Sequence, residues 1–223
     1  MTETSEVIRE AAFRLFGERG YDATSVEEIV AAAGVSRSTF FRTFGSKEAV
    51  IFPDHDRLLA SVADRLRAST QTSAIAAVSD AVRLVLFHYV AEGDRARERY
   101  RLTSSVPALR ERELLSGARY QSLFRQHIAT SGAQTNEGQL QAELMAAAVV
   151  AAHNRVLRRW LRRECEDPQI EIDAALDAVR TMFDPRRAGS EPIVIVVPET
   201  ISMSDLSSRI SGWVLGTATQ NQA

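Results

Sequence analysis

The sequence predicts an all-α chain, and three observations predict it. Apolar residues recur every three or four positions in segment after segment, as one face of a helix requires. The segments open at Ser, Asp or Pro and several close at Gly, which is helix punctuation. The segment that reads as a strand, residues 193–197 (IVIVV), lies at the end of the chain behind a Pro/Arg/Gly linker.

The first helix opens around Thr2 to Ser5 and places Val7, Ile8, Ala11, Ala12, Leu15 and Phe16 on one face, with Arg9, Arg14 and Arg19 facing elsewhere. Gly20 closes it in the left-handed position, and Tyr21 is the apolar residue that follows. A second helix starts at Val26, because Ser25 and Glu28 have the spacing of a capping box. Its face is Val26, Ile29, Val30 and Ala33, and Gly34 ends it. Val35 fills the corner, Ser36 caps a third helix, and that helix carries Arg37, Ser38, Thr39, Phe40, Phe41 and Arg42. The core of this three-helix unit is expected from Ile29, Val35, Phe40, Phe41 and Phe44.

Two short helices around a tight turn, the second mixing hydroxyls and guanidiniums, form a helix-turn-helix suited to the major groove of double-stranded DNA. Arg37 can donate twice to guanine O6 and N7. Ser36, Ser38 and Thr39 suit phosphates or a thymine methyl, Arg42 and Lys47 suit the backbone, and Thr24 and Ser25 join the set at the start of the second helix. Lys47 is the sole lysine of the chain. The net charge of −2 argues against indiscriminate coating of nucleic acid, so binding must rest on this patch.

The array Leu15-Phe16, Gly20-Tyr21, Ser25-Val26, Ile29, residues 33–36 (AGVS), Phe40-Phe41, Phe44 and residues 46–48 (SKE) resembles the N-terminal domain of the TetR family of transcriptional regulators, over nearly all of residues 5–52. The resemblance implies a repressor that occupies a palindromic operator as a homodimer. Phe41 stands where the family usually has a phosphate-binding tyrosine, so it is read as core.

A fourth helix follows Ser46 and is interrupted at Phe52-Pro53, where a kink or restart is expected. Pro53 is expected to set where that helix bends. Leu58, Leu59, Val62 and Leu66 continue the stripe. Asp54, His55 and Asp56 point in different directions on a helix and are not expected to bind metal. Residues 74–92 read as a core helix, residues 95–101 as a short exposed one, and Pro107 opens a helix running through Leu109, Leu115, Tyr120, Leu123 and Phe124 to Ile128. Residues 131–138 read as a loop. Two helices follow. One runs from about Asn136 to Glu164, with an alanine-rich middle and Arg155, Arg158, Arg159, Arg162 and Arg163 crowding its end; the other lies near residues 172–183. This pair is expected to form a four-helix bundle with a second copy, the homodimer.

The interior offers Phe87, His88, Tyr89, Leu123, Phe124 and Met145 as candidate walls of an apolar ligand site. Residues 105–110 (SVPALR) and 152–160 (AHNRVLRRW) resemble the C-terminal domain of the mycofactocin-type TetR regulators, a subgroup associated with fatty acyl-CoA ligands. That resemblance implies an acyl chain in the interior and Arg155 or Arg158 on the phosphates of a long-chain acyl-CoA effector. The expected organisation is residues 1–48 for DNA binding, 49–184 for ligand binding and dimerisation, and 185–223 as an accessory extension whose strand is covered by Leu206, Ile210 and Trp213.

No nucleophile-elbow, phosphate-cradling glycine loop or zinc-binding pattern occurs, so no enzyme, catalytic residue, metal or cofactor is expected. The lone Cys165 reads as an inert thiol. No apolar run reaches the ~20 residues of a membrane span and no secretory leader opens the chain, so a cytoplasmic protein is expected. A constitutive DNA-binding or architectural protein without small-molecule control is the rival reading.

Overall fold

The computed structural model describes residues 3–52, 54–69, 73–132 and 134–184, and the first of two units, residues 1–183, holds ten helices among them. They are α1 (Glu3–Arg19), α2 (Val26–Ala33), α3 (Arg37–Phe44), α4 (Lys47–Ile51), α5 (His55–Ala68), α6 (Ala74–Glu92), α7 (Asp94–Ser105), α8 (Pro107–Ser131), α9 (Asn136–Leu161) and α10 (Pro168–Met182). The strand expected at residues 193–197, its covering residues Leu206, Ile210 and Trp213, and Pro53 lie outside the described residues. The interruption beside Pro53 is present: α4 ends at Ile51, and Asp54 caps α5 by accepting from Arg57 N–H at 3.0 Å.

Two apolar cores form. The first joins Ile8, Phe16, Ile29, Phe40, Val50 and Ile51 from α1 to α4, and Leu102 and Leu109 enter it from the α7–α8 corner. The second is built from α5, α6, α8, α9 and α10, with Val62, Val82, Leu86, Phe124, Val149 and Leu176 at its centre. By length and composition α6 could cross a bilayer, contrary to the expectation that no segment comes near it. Its buried Val78, Ala81, Val82, Val85 and Leu86 pack against neighbouring helices, which is the reason for its apolar composition.

Several sequence expectations change. Residues 95–101 are not an exposed helix: Arg99 is 2% exposed and ion-paired to Glu92. Arg9 is also buried, donating to the Phe52 carbonyl at 3.4 Å. Leu115, expected in the α8 stripe, is exposed. Gly138 belongs to the first turn of α9, where its N–H donates to the cap Thr135 at 3.1 Å, so the preceding loop is shorter than expected. The arginines ending α9 tie the bundle together. Arg159 pairs with Glu171 at 2.9 Å, Arg162 donates to the Tyr100 hydroxyl at 2.8 Å, and Arg163 pairs with Asp94 at 3.1 Å.

Candidate nucleic-acid interface and internal cavity

The helix-turn-helix is assembled by local hydrogen bonds. Ser25 Oγ accepts from Glu28 N–H at 3.2 Å, and Glu28 accepts from Ser25 N–H at 2.8 Å, which closes the capping box. The Ser25 N–H, and the Ser25 hydroxyl donating to the same carboxylate at 2.9 Å, hold Glu28 below the ordinary carboxylate range. Gly34 turns the chain at φ 64°, and Val35 N–H returns to the Val30 carbonyl at 3.1 Å. Ser36 caps α3 by accepting from Thr39 N–H at 3.1 Å, and its hydroxyl meets those of Ser38 and Thr39 at 2.8 and 2.9 Å. Three hydroxyls therefore cluster at the start of α3, next to Arg37.

Arg37 is exposed, pairs with Glu27 at 2.8 Å, and lies over the Phe41 ring at 5.4 Å. An exposed pair of this kind is worth about 0–1 kcal/mol, so the guanidinium can leave it for a base edge at little cost. Phe41, expected in the core, is 39% exposed and does not belong to it; Phe40, one position earlier and also expected there, is fully buried. Arg42 stands exposed on the same helix. Thr24 is turned inward, 1% exposed, with its hydroxyl donating to the Gly20 carbonyl at 2.8 Å, so it holds the α1–α2 loop and has no outward hydroxyl for DNA. Lys47 donates to the Tyr21 and Thr24 carbonyls, each at 2.9 Å, and its ammonium lies 4.1 Å from the Tyr21 ring centroid. That ammonium clamps α4 to the same loop.

Inside the second core is a cavity of about 380 Å³. Of the predicted ligand residues it brings together Tyr89, Phe124 and Arg158. Leu123 and Met145 pack in the surrounding core, while Phe87, His88 and Arg155 stand away from the cavity wall on more exposed positions. The polar part of the wall comes from residues that sequence reasoning missed: His55, Arg99, Glu113, Tyr120 and His153. His55 Nδ1 faces the Tyr120 hydroxyl at 3.5 Å, Tyr89 donates to Glu113 Oε1 at 3.3 Å, and His153 Nδ1 contacts Asn154 Oδ1 at 3.1 Å. The other atoms of these groups, His55 Nε2, Glu113 Oε2 and His153 Nε2, are buried without a hydrogen-bond partner. Burial lowers His55 and His153 to about 4, so both are neutral at pH 7, and it raises the Glu113 carboxyl. An apolar cavity with a few buried polar atoms still to be satisfied fits a small organic molecule.

Arg99 belongs to this wall and also donates to the Ile51 carbonyl, the last residue of α4, at 3.5 Å. The cavity and the α1–α4 unit that carries the helix-turn-helix thus share a side chain. Cys165 is buried, and burial raises its thiol to about 11, as suits an inert thiol. Among the described residues no three His, Cys, Asp or Glu side chains group to hold a metal.

Residues 8–52 match the family described as bacterial regulatory proteins, tetR family, and residues 72–184 match the MftR C-terminal domain. A protein assigned as the mycofactocin biosynthesis transcriptional regulator MftR in Mycobacterium tuberculosis is 28% identical over 189 residues, covering 81% of this chain and 91% of the relative. The HTH-type transcriptional regulator TcmR of Streptomyces glaucescens is 28% identical over 200 residues, covering 83% and 87%. Among solved structures, the SmeT–triclosan complex superposes with a TM-score of 0.58 at 18% identity, over 90% of this chain and 100% of that one, a likeness of fold. These sequence relatives are transcriptional regulators and not enzymes. With an N-terminal match over α1–α4 and a C-terminal match over more than half the chain, the protein belongs to the TetR family of bacterial transcriptional regulators and carries an MftR-type C-terminal domain.

Proposed function

We propose that this regulator is a ligand-responsive repressor that binds a palindromic operator as a homodimer and is released when a small apolar ligand, with a fatty acyl-CoA as the specific candidate, fills the cavity behind Arg99. The observation that supports it is the double position of Arg99, on the cavity wall and on the carbonyl of Ile51. A ligand that displaces Arg99 acts on α4, and through Lys47 on the loop that carries α2 and α3. Residues 1–48 bind DNA, residues 49–184 bind ligand and dimerise, and residues 185–223 are accessory. Arg37 reads a base, while Ser25, Ser36, Ser38, Thr39 and Arg42 hold phosphates. The protein acts in the cytoplasm, where its operator lies.

The dimer reading draws on Leu140 and Leu144 of α9 and Ile170 and Met182 of α10, large apolar side chains exposed in one copy. A symmetric pair also sets the DNA geometry, because two α3 helices must reach half-sites about 34–36 Å apart.

The test is a gel-shift assay on the protein's own genomic fragments, with and without palmitoyl-CoA. Retardation that palmitoyl-CoA abolishes is expected. Retardation indifferent to palmitoyl-CoA removes the acyl-CoA reading, and no retardation removes the operator.

A further inference from the structure

A second space, a cleft of about 710 Å³, opens where the start of α1, the end of α3, the α4–α5 junction and α8 meet. That size lies within the range of small-molecule sites, roughly 300–1,000 Å³. Four arginines from three helices line it: Arg9 of α1, Arg57 of α5, and Arg112 and Arg119 of α8. The acids of the wall are fewer and already engaged. Asp56 pairs with Arg119 at 2.6 Å, and the Asp54 carboxylate caps α5. Arg57 and Arg112 have no carboxylate within 4.0 Å among the described residues, and Arg112 lies 5.3 Å from the Phe52 ring centroid. Two acids against four guanidiniums leave the cleft with a net positive charge, in a chain whose total is −2.

The recess decides what this charge can hold. Cations on an open surface gain only about 0–1 kcal/mol from an opposite charge, because water screens them. Here Arg9 is 6% exposed and adds a positive charge at a position where screening is weaker. Glu6 and Glu92 act on Arg9 from outside the wall, and each is paired to another arginine, Arg95 and Arg99. A duplex presents its phosphates on a convex ridge and is met by cations that protrude. A concave space between helices suits a small anion instead.

We infer that the cleft is a second binding site, distinct from the internal cavity, for a soluble anion of the diphosphate class held by the guanidiniums of Arg57 and Arg112. A guanidinium offers two parallel donors to one phosphate group, so two without a carboxylate partner suit two phosphate groups. Such an anion has no apolar part, and the site stands whether or not the cavity takes an effector, although His55 and Ser116 are common to both walls. Arg9 belongs to the α1–α4 unit, whereas Arg57, Arg112 and Arg119 belong to helices of the second core. An anion in the cleft therefore bridges the two and gives the regulator a second point of control.

The test is calorimetry with inorganic pyrophosphate on the wild type, on Arg57→Gln/Arg112→Gln, and on Arg65→Gln/Arg67→Gln, which removes the same charge from exposed positions outside the cleft. All four arginines are exposed, so unchanged melting temperatures without ligand are expected and check the fold. Pyrophosphate is expected to bind the wild type and the Arg65/Arg67 variant alike and to bind Arg57→Gln/Arg112→Gln at least tenfold more weakly. No binding to the wild type, or an equal loss in both variants, overturns the assignment. Gel shifts on genomic fragments without pyrophosphate separate the cleft from the DNA surface. Equal affinity and equal salt dependence in the wild type and Arg57→Gln/Arg112→Gln are expected; a flatter salt dependence in that variant gives these arginines to the DNA backbone and overturns the small-anion site. If no fragment is retarded, the operator reading fails separately and calorimetry alone decides the cleft.

Discussion

Arg99 of α7 and Glu92, the last residue of α6, form an ion pair whose guanidinium is 2% exposed and whose carboxylate is 14% exposed. The same guanidinium lies 4.8 Å from the Tyr89 ring centroid and reaches the end of α4. Removing one partner of a buried pair leaves the other charge uncompensated, a loss of about 3–5 kcal/mol. Glu92→Ala is therefore expected to lower stability by roughly that amount in chemical denaturation, well beyond the effect of Asp64→Ala, whose pair with Arg67 is on the surface.

The two cavity histidines set an acid-side prediction. Each is held at about 4 in the folded protein against an ordinary value of 6.5, chiefly by burial. Between these values the unfolded chain takes up protons that the folded chain refuses. Stability therefore falls as the pH drops from about 6.5 toward 4, by up to about 1.4 kcal/mol per pH unit for each histidine. Urea midpoints measured between pH 7 and pH 5 should fall in that direction, and His153→Gln should flatten the slope by one proton.

Phe41 yields a gain-of-affinity prediction. It sits exposed on α3 beside Arg37, so a tyrosine there adds a hydroxyl on the helix proposed to face DNA. One added hydrogen bond is worth about 0.5–1.5 kcal/mol. Phe41→Tyr is expected to tighten operator binding a few-fold in titrations and leave the melting temperature unchanged.

Arg37 and Lys47 are expected to behave differently although both are cations of the same unit. Arg37→Ala should cost about 1–3 kcal/mol of discrimination at one base pair, read from binding to a substituted operator series. Lys47→Ala breaks two charge-assisted bonds to backbone carbonyls and should lower the stability of the unit by about 1.5–3 kcal/mol, seen in denaturation without DNA.

The parts legible in the sequence are those fixed by neighbours along the chain. The bounds of α2 follow from Ser25, Glu28 and Gly34, all within ten positions, and the stripe of α6 is similarly local. Phe40 and Phe41 mark the limit of such reasoning. Adjacent aromatics on a short helix point about 100° apart, so of the two expected in the core Phe40 is buried and Phe41 is left exposed. Thr24 misleads for a related reason: it stands one residue before the true cap, with its hydroxyl turned into the loop. The cavity wall was illegible in another way. His55, Glu113 and His153 come from α5, α8 and α9, and no spacing in the sequence brings them together. Arg99 sits in a run of charges that reads as a solvated face, and its burial follows from the fold of α7 against α6.

The clamp at the start of α4 has a chemical consequence. Because the chain has a single lysine, it offers one ε-amine, and that amine is engaged by two carbonyls and a tyrosine ring. Reagents that acylate lysine, and proteases that cut after it, thus act on one internal address, and their rate reports whether the α1–α2 loop is docked or loose.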